Sequence, residues 1–132
     1  MQAVCVALGG QACCMRAKDR VGQRGERLAE DYFKASGAVI LDRNWRCREG
    51  ELDLVALDGA VLVAVEVKSR SSWDFGHPFE AVDGVKLARV ARLAALWAKE
   101  HRLQAARRRV DVIAVTGPEG PSPLVEHLRG VA

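Results

Sequence analysis

The sequence predicts one α/β domain in which helices pack on a mixed β-sheet, with elements in the order αβββαβ(β). Three observations carry that prediction. Apolar residues recur at helical spacing in two segments, residues 21–36 and 83–101. Between and after them lie short apolar runs of strand character, bounded by turn residues. The chain has 132 residues, enough for one core and too few to divide comfortably into two.

In the first helix Val21, Leu28, Ala29, Tyr32, Phe33 and Ala35 fall on one side, and Gly37 is the stop. Gly22 and Gly25 lie on the same side, which predicts an unusually close approach to whatever the helix packs on. Glu26 sits at the border of that stripe. Ala38 to Arg46 reads as a strand, followed by a Cys-Arg-Glu-Gly turn. Two further strands, Glu51 to Leu57 and Ala60 to Ser69, are joined by Asp58-Gly59, a dipeptide preferred in a tight type I′ hairpin. Ser71 to Pro78 reads as loop, and Asp83 as the N-cap of a helix running to about His101. Val110 to Val115 is an apolar, β-branched strand. Leu124 to Leu128 is one more, after the Gly/Pro-rich stretch Gly117 to Pro123.

Hydrophobic residues make up 49% of the chain, a globular rather than a disordered balance. No run approaches the roughly 20 apolar residues needed to span a bilayer. Residues 1–18 are expected to form a disordered tail ahead of a single domain over residues 19–132. The start of that tail is apolar and small, but it lacks a basic n-region, and Gly9, Gly10 and Gln11 interrupt it, against a secretory signal. Met15 is an alternative natural start. Cys5, Cys13, Cys14 and Cys47 make neither a zinc-knuckle pair nor a disulfide ladder, so a reducing compartment, the cytoplasm, is expected. The net charge is +3, and cations cluster at Arg16 to Arg27, at Arg43, Arg46 and Arg48, and at Arg102 to Arg109. Such basic edges suit an anionic partner, although a solvated surface accounts for any one of them.

The hairpin concentrates the chemistry. With Asp58-Gly59 as a two-residue loop, Asp53 faces Ala64 and Glu51 faces Glu66. Alternation then places Leu52, Leu54, Ala56, Val61, Val63, Val65 and Val67 on one face, and Glu51, Asp53, Glu66 and Lys68 on the other. Asp53 and Glu66 become diagonal neighbours, roughly 7–8 Å apart at the backbone, a gap two carboxylates can close around a cation. Three acids crowded at one end of a hairpin are costly unless something compensates them. A divalent metal would, and oxygen donors suit Mg²⁺ or Mn²⁺ rather than zinc. The plain alternative is a solvated charged face on a half-exposed strand pair. The strongly apolar flanking runs, with Glu26 looking toward the same face, argue against it.

Lys86 and Arg89 fall within the apolar arc of the second helix set by Val85, Leu93, Leu96 and Trp97, whereas Arg92 and Lys99 fall on its polar side. Inward-leaning cations at a helix start suggest phosphate contact, with snorkelling as the alternative. Trp73 and Phe75 read as loop anchors before base-stacking platforms. His77 has no partner His or Cys at ligand spacing and reads as a loop residue, and Asp111 reads as half of a structural pair.

Gly50-Glu-Leu-Asp-Leu-Val55, Val65-Glu-Val-Lys-Ser-Arg70, Phe75-Gly-His-Pro-Phe-Glu-Ala-Val82 with Lys86, and Arg109-Val-Asp-Val-Ile-Ala114 follow one another in order. Together they resemble the YraN-like bacterial proteins, relatives of the archaeal Holliday-junction resolvases among the PD-(D/E)XK nucleases. The resemblance spans roughly Val21 to Val115. It implies a restriction-endonuclease-like fold and Mg²⁺- or Mn²⁺-dependent hydrolysis of phosphodiester bonds in DNA, branched DNA among the candidates. It assigns the metal-ligand aspartate to Asp53, the second acid to Glu66, the lysine to Lys68 and the helix glutamate to Glu26, which is an additional metal ligand, through water or directly, or else a helix-surface carboxylate of no consequence. The carbonyl of Val67 would complete the ligand set, and Lys86, Arg89 and Arg70 would meet nucleic-acid phosphates. A junction resolvase is expected to act as a symmetric homodimer. The motif's proline has no match, since Leu52 precedes Asp53. A non-catalytic nucleic-acid-binding module and a small interaction domain are the competing classes.

Overall fold

In a computed structural model, which describes residues 17–72, 76, 77, 79, 83–105 and 107–132, the first helical period forms α1 (Ala17–Ala35). It begins two residues inside the expected tail. Trp73 and Phe75, and the rest of the tail, lie outside the described residues. At the far end of α1, Gly37 adopts φ +97°, and the Ala38 N–H reaches back to the Phe33 carbonyl at 3.0 Å. Glycine permits that left-handed turn, which satisfies a carbonyl the helix would otherwise leave open.

The strands are β1 (Val39–Cys47), β2 (Gly50–Asp58), β3 (Val61–Arg70), β4 (Arg107–Thr116) and β5 (Leu124–Leu128), with α2 (Gly84–Glu100) between β3 and β4. They form one sheet in the order β1-β2-β3-β4-β5. Neighbours are antiparallel except β3 and β4, which are parallel and need α2 as their crossover. The expected element order and mixed sheet are therefore present. No helix among the described residues is long and apolar enough to cross a membrane.

Each face of the sheet has its own helix. Ala29 and Phe33 of α1 pack on Leu54, Ala56, Val63, Val65, Ile113 and Val115. Val90, Leu93, Ala94, Trp97 and Ala98 of α2 pack on Leu52, Val55, Leu62, Ala64 and Val110. The hairpin's second face is thus apolar along most of its length, and its charges gather only at one end. Val85, expected in the buried arc of α2, is 74% exposed, because the helix settles on residues one turn further along. Ala35 and Tyr32 likewise lie at the surface. Of the two glycines expected to permit close packing, Gly25 does so: a Cβ there would stand 1.8 Å from Ser69 Oγ, whereas one at Gly22 would meet nothing within 4 Å.

The hairpin register differs from the expected one by two residues. Asp58 pairs with Val61, Leu57 with Leu62 and Val55 with Ala64, so the loop is Gly59-Ala60. Gly59 has φ +62°, but among the described residues Ala60 is not one with positive φ, so the type I′ turn, which needs positive φ at both positions, does not form. Arg109 also bonds Asp58 at 2.9 Å, holding it at the strand end. A shift of two leaves every side chain on its face, because the strand period is two.

Candidate active site

Pairing of β2 with β3 ends at Leu54–Val65, and continuing that register sets Asp53 opposite Glu66, closer than the diagonal placement expected. In place of a β2 carbonyl, Asp53 Oδ2 accepts the Val67 N–H at 2.9 Å. The N–H and C=O of one strand residue point the same way, so the Val67 carbonyl faces this opening too. Beside it, Asn44 of β1 adopts φ +47°. Alternation in β2 breaks at Asp53: Leu52 packs toward α2 and Leu54 toward α1, although both were expected on one face. Asparagine tolerates the left-handed conformation better than other side chains.

Asn44 is the site residue that sequence reasoning missed. Its amide donates to Glu26 Oε1 at 3.1 Å and lies 3.5 Å from Glu51 Oε2, tying the helix acid to the strand acid. The available signal was an asparagine, a residue depleted in strands, inside a strand pattern. A hollow of about 510 Å³ opens here between α1 and β1, with Gln23, Glu26, Arg27, Asn44 and Asp53 in its lining. Its rim is held by Glu30, which Arg43 grips through two nitrogens at 2.7 and 2.6 Å. That grip holds the Glu30 carboxyl down to about 2.

Glu66 is 7% exposed, and its Oε2 takes two ammonium groups, Lys68 at 3.1 Å and Lys86 at 3.0 Å. Lys68 follows on the same strand face. Lys86 arrives from the first turn of α2, where Asp83, as expected, caps the helix by accepting the Lys86 N–H at 2.8 Å. The inward lean of Lys86 is thus toward an acid of the site. Arg89 is exposed, its Cδ close to Gly50. Arg70 donates to the Ser69 carbonyl at 3.0 Å and joins none of these carboxylates.

Burial, then the neighbouring charge of Glu66, push the Asp53 carboxyl up to about 7 against the pull of the Val67 N–H, with Glu26 and Glu51 adding to the rise. Glu26 is also raised, first by burial, with the Asn44 bond opposing. Burial lowers Lys68, helped by Lys86 and opposed by Glu66. Burial works against the charge on Lys86 as well, but the Glu66 carboxylate, with Asp53 behind it, prevails and raises it. A sign follows for Asp53. Its folded pKa exceeds the unfolded value of 3.8, so between about 4 and 7 the folded chain holds a proton that the unfolded chain has released. Metal-free stability should fall as pH rises through that window and level off above it. Urea unfolding in chelator at pH 4.5 and 8 measures this, and Asp53→Asn should flatten the decline; an equally steep decline in the variant contradicts the assignment.

Among the described residues, no three His, Cys, Asp or Glu side chains converge tightly enough to cage a metal ion. Asp53 and Glu66 bring two carboxylates together where β2 and β3 part, and Glu26 accepts from Asn44. Two hard oxygen donors beside a backbone carbonyl fit Mg²⁺ or Mn²⁺, which bind through one or two carboxylates and keep several waters. The raised Asp53 carboxyl is the same fit seen electrostatically, as crowded negative charge that a divalent cation would relieve.

Two further groupings lie apart from this centre. Asp111 is fully buried and accepts from Arg109 Nε at 3.0 Å, His127 Nε2 at 2.7 Å and the Gly130 N–H at 2.9 Å, so it is the structural partner expected. His77 Nε2 bonds Glu126 of β5 at 2.7 Å, a carboxylate partner that a search for His and Cys could not find.

Residues 25–115 match the sequence profile of a family described as "Uncharacterised protein family UPF0102", a span that includes Glu26, Asp53, Glu66 and Lys68. A UPF0102 protein of Paenarthrobacter aurescens (strain TC1) is 56% identical over 117 residues, covering 89% of this chain and 97% of that protein. One of Arthrobacter sp. (strain FB24) is 58% identical over 117 residues, covering 89% and 99%. One of Frankia alni is 56% identical over 116 residues, covering 88% and 97%.

Proposed function

The chain belongs to the UPF0102 family, the YraN-like group its motifs resemble, and on that footing we propose that it is a divalent-metal-dependent endonuclease of the PD-(D/E)XK type acting on DNA. The observation that carries this reading is the opposition of Asp53 and Glu66 where β2 and β3 part, with Lys68 on the Glu66 carboxylate. A mixed sheet with a helix on each face is compatible with the restriction-endonuclease-like architecture the reading requires.

Asp53, Glu66 and the Val67 carbonyl are the groups that would hold Mg²⁺ or Mn²⁺. Bound there, the cation supplies Lewis acidity toward a phosphoryl oxygen and acidifies a coordinated water. Lys68, its pKa lowered, would orient the attacking water and offset charge on the pentacoordinate phosphorus. Lys86 neutralises Glu66 in the metal-free protein and stands ready to meet phosphate. Glu26, steadied by Asn44, adds negative field from the helix side. Arg89 and Arg70 would meet the DNA backbone outside the centre, in a homodimer if the substrate is a symmetric branch.

One observation favours a second reading, a nucleic-acid-binding module without turnover: Glu66 already carries two lysines, and no three-acid cage is present among the described residues. A single experiment separates the two. The protein is melted with and without Mg²⁺ or Mn²⁺ and incubated with branched, flapped, single-stranded and linear DNAs. Metal at 100 times its Kd should stabilise by about 2.7 kcal/mol. At least one DNA should be cut, and Asp53→Asn should remove most of both effects. Binding without cleavage of any DNA supports the second reading and overturns the first.

A further inference from the structure

β4 opens with three consecutive arginines, Arg107, Arg108 and Arg109, at the end of the sheet away from the acid centre. β3 and β4 run in parallel register, Val61 beside Arg107 and Glu66 beside Val112. Five residues of strand separate the two levels, roughly 16 Å.

Three hollows meet at these arginines. One of about 370 Å³ is lined by Val61, Arg107, Arg108, Arg109, Arg129 and Gly130. A second, of about 270 Å³, lies between the same arginines and Ala91, Ala94 and Ala132. A third, of about 610 Å³, follows the C-terminal end of α2, with Lys99, Arg102, Leu103 and Arg108 in its lining. Arg108 borders all three, which makes an arc of adjoining hollows from Arg129 to Lys99.

Most of the positive charge along this arc is uncompensated. Arg109 is spoken for, with Asp58 at 2.9 Å and Asp111 at 3.0 Å, and Arg129 stands 3.8 Å from the same Asp58. Arg107 and Arg108 are exposed and have no carboxylate within ion-pair distance among the described residues. Guanidinium forks match phosphate oxygens in pairs, which a lysine cannot do. An extended arc with cations spaced along it fits a linear chain of phosphates better than a single small anion.

We propose that this arc is a second nucleic-acid contact surface, binding phosphate backbone without reading sequence, about 16 Å from the acid centre. It rests on the nucleic-acid part of the function proposed above and not on the cleavage chemistry. Binding of a 30-base-pair DNA duplex, followed by fluorescence anisotropy in chelator across a salt series, tests it. Arg107→Gln with Arg108→Gln should lower the slope of log K against log salt by about 2, at roughly 0.9 per phosphate contact, with an unchanged melting temperature. Arg92→Gln, an exposed arginine of α2 outside the lining of the arc, should change the slope by less than half as much. If the double variant does not fold, Arg108→Gln alone should lower the slope by about 1. An unchanged slope, or an equal change with Arg92→Gln, overturns the proposal. So does wild-type binding to anionic lipid vesicles or polyglutamate that the duplex fails to displace. Loss of slope in a protein that cuts no DNA leaves the contact surface standing and the nuclease reading fallen; full cleavage with an unchanged slope does the reverse.

Discussion

Lys68→Met is expected to leave folding and DNA binding close to wild type while lowering the rate of DNA cleavage by roughly 10²-fold or more. Lys68 is one of two ammonium groups on Glu66 Oε2, and Lys86 remains at 3.0 Å when Lys68 is gone. The variant therefore does not strand a buried carboxylate, and the stability change should be small. What it removes is a group whose value lies in charge that develops only during the reaction. If Lys68 merely neutralised its neighbour, stability and metal affinity would shift together, and cleavage would follow metal occupancy. The measurement is single-turnover cleavage at saturating Mg²⁺ on whichever DNA the wild type cuts, beside melting curves of both proteins. Cleavage at the wild-type rate would mean that the active site is wrongly assigned.

Asp111→Ala should destabilise the protein by about 3–5 kcal/mol, the range for removing one partner of a buried ion pair. Asp111 has no exposed surface and holds Arg109, His127 and the Gly130 amide at once. An ionised carboxylate only accepts, so His127 donates from Nε2, and its Nδ1 meets the Tyr32 hydroxyl at 3.0 Å. The network thereby links α1, β4 and β5, and its loss leaves Arg109 leaning on Asp58 alone. Because Asp111 joins none of the carboxylates of the acid centre, stabilisation by Mg²⁺ relative to each protein's own baseline should be unchanged. Urea unfolding with and without metal reads both quantities. A loss under 1 kcal/mol would show that the network is not structural.

Much of this arrangement was legible along the chain, and the legible parts share a cause. Helices ending at Gly37 and beginning at Asp83 follow from caps acting within one turn of backbone. The shared face of Glu66 and Lys68 follows from strand alternation, and the faces of the hairpin away from the break at Asp53 would survive any even slip in register. For that reason a register that was itself wrong by two still set Asp53 and Glu66 on one face, although as diagonal neighbours and not opposite each other.

The remaining features were settled by contacts between residues far apart in sequence. The turn moved to Gly59-Ala60, where Arg109, 51 residues from Asp58, grips the end of β2. Whether Lys86 reached phosphate or acid depended on where α2 came to rest, and it rests with that ammonium on Glu66. Asn44 of β1 bound Glu26 of α1, which no spacing within either segment could reveal. The sequence by itself determined which residues form helices and strands and which of the acids share an end of the hairpin, because those depend on backbone sterics over a few residues. The tertiary structure alone decided register, partners and protonation, because these depend on burial and on charges brought together by the packing of α1 and α2 on opposite faces of one sheet.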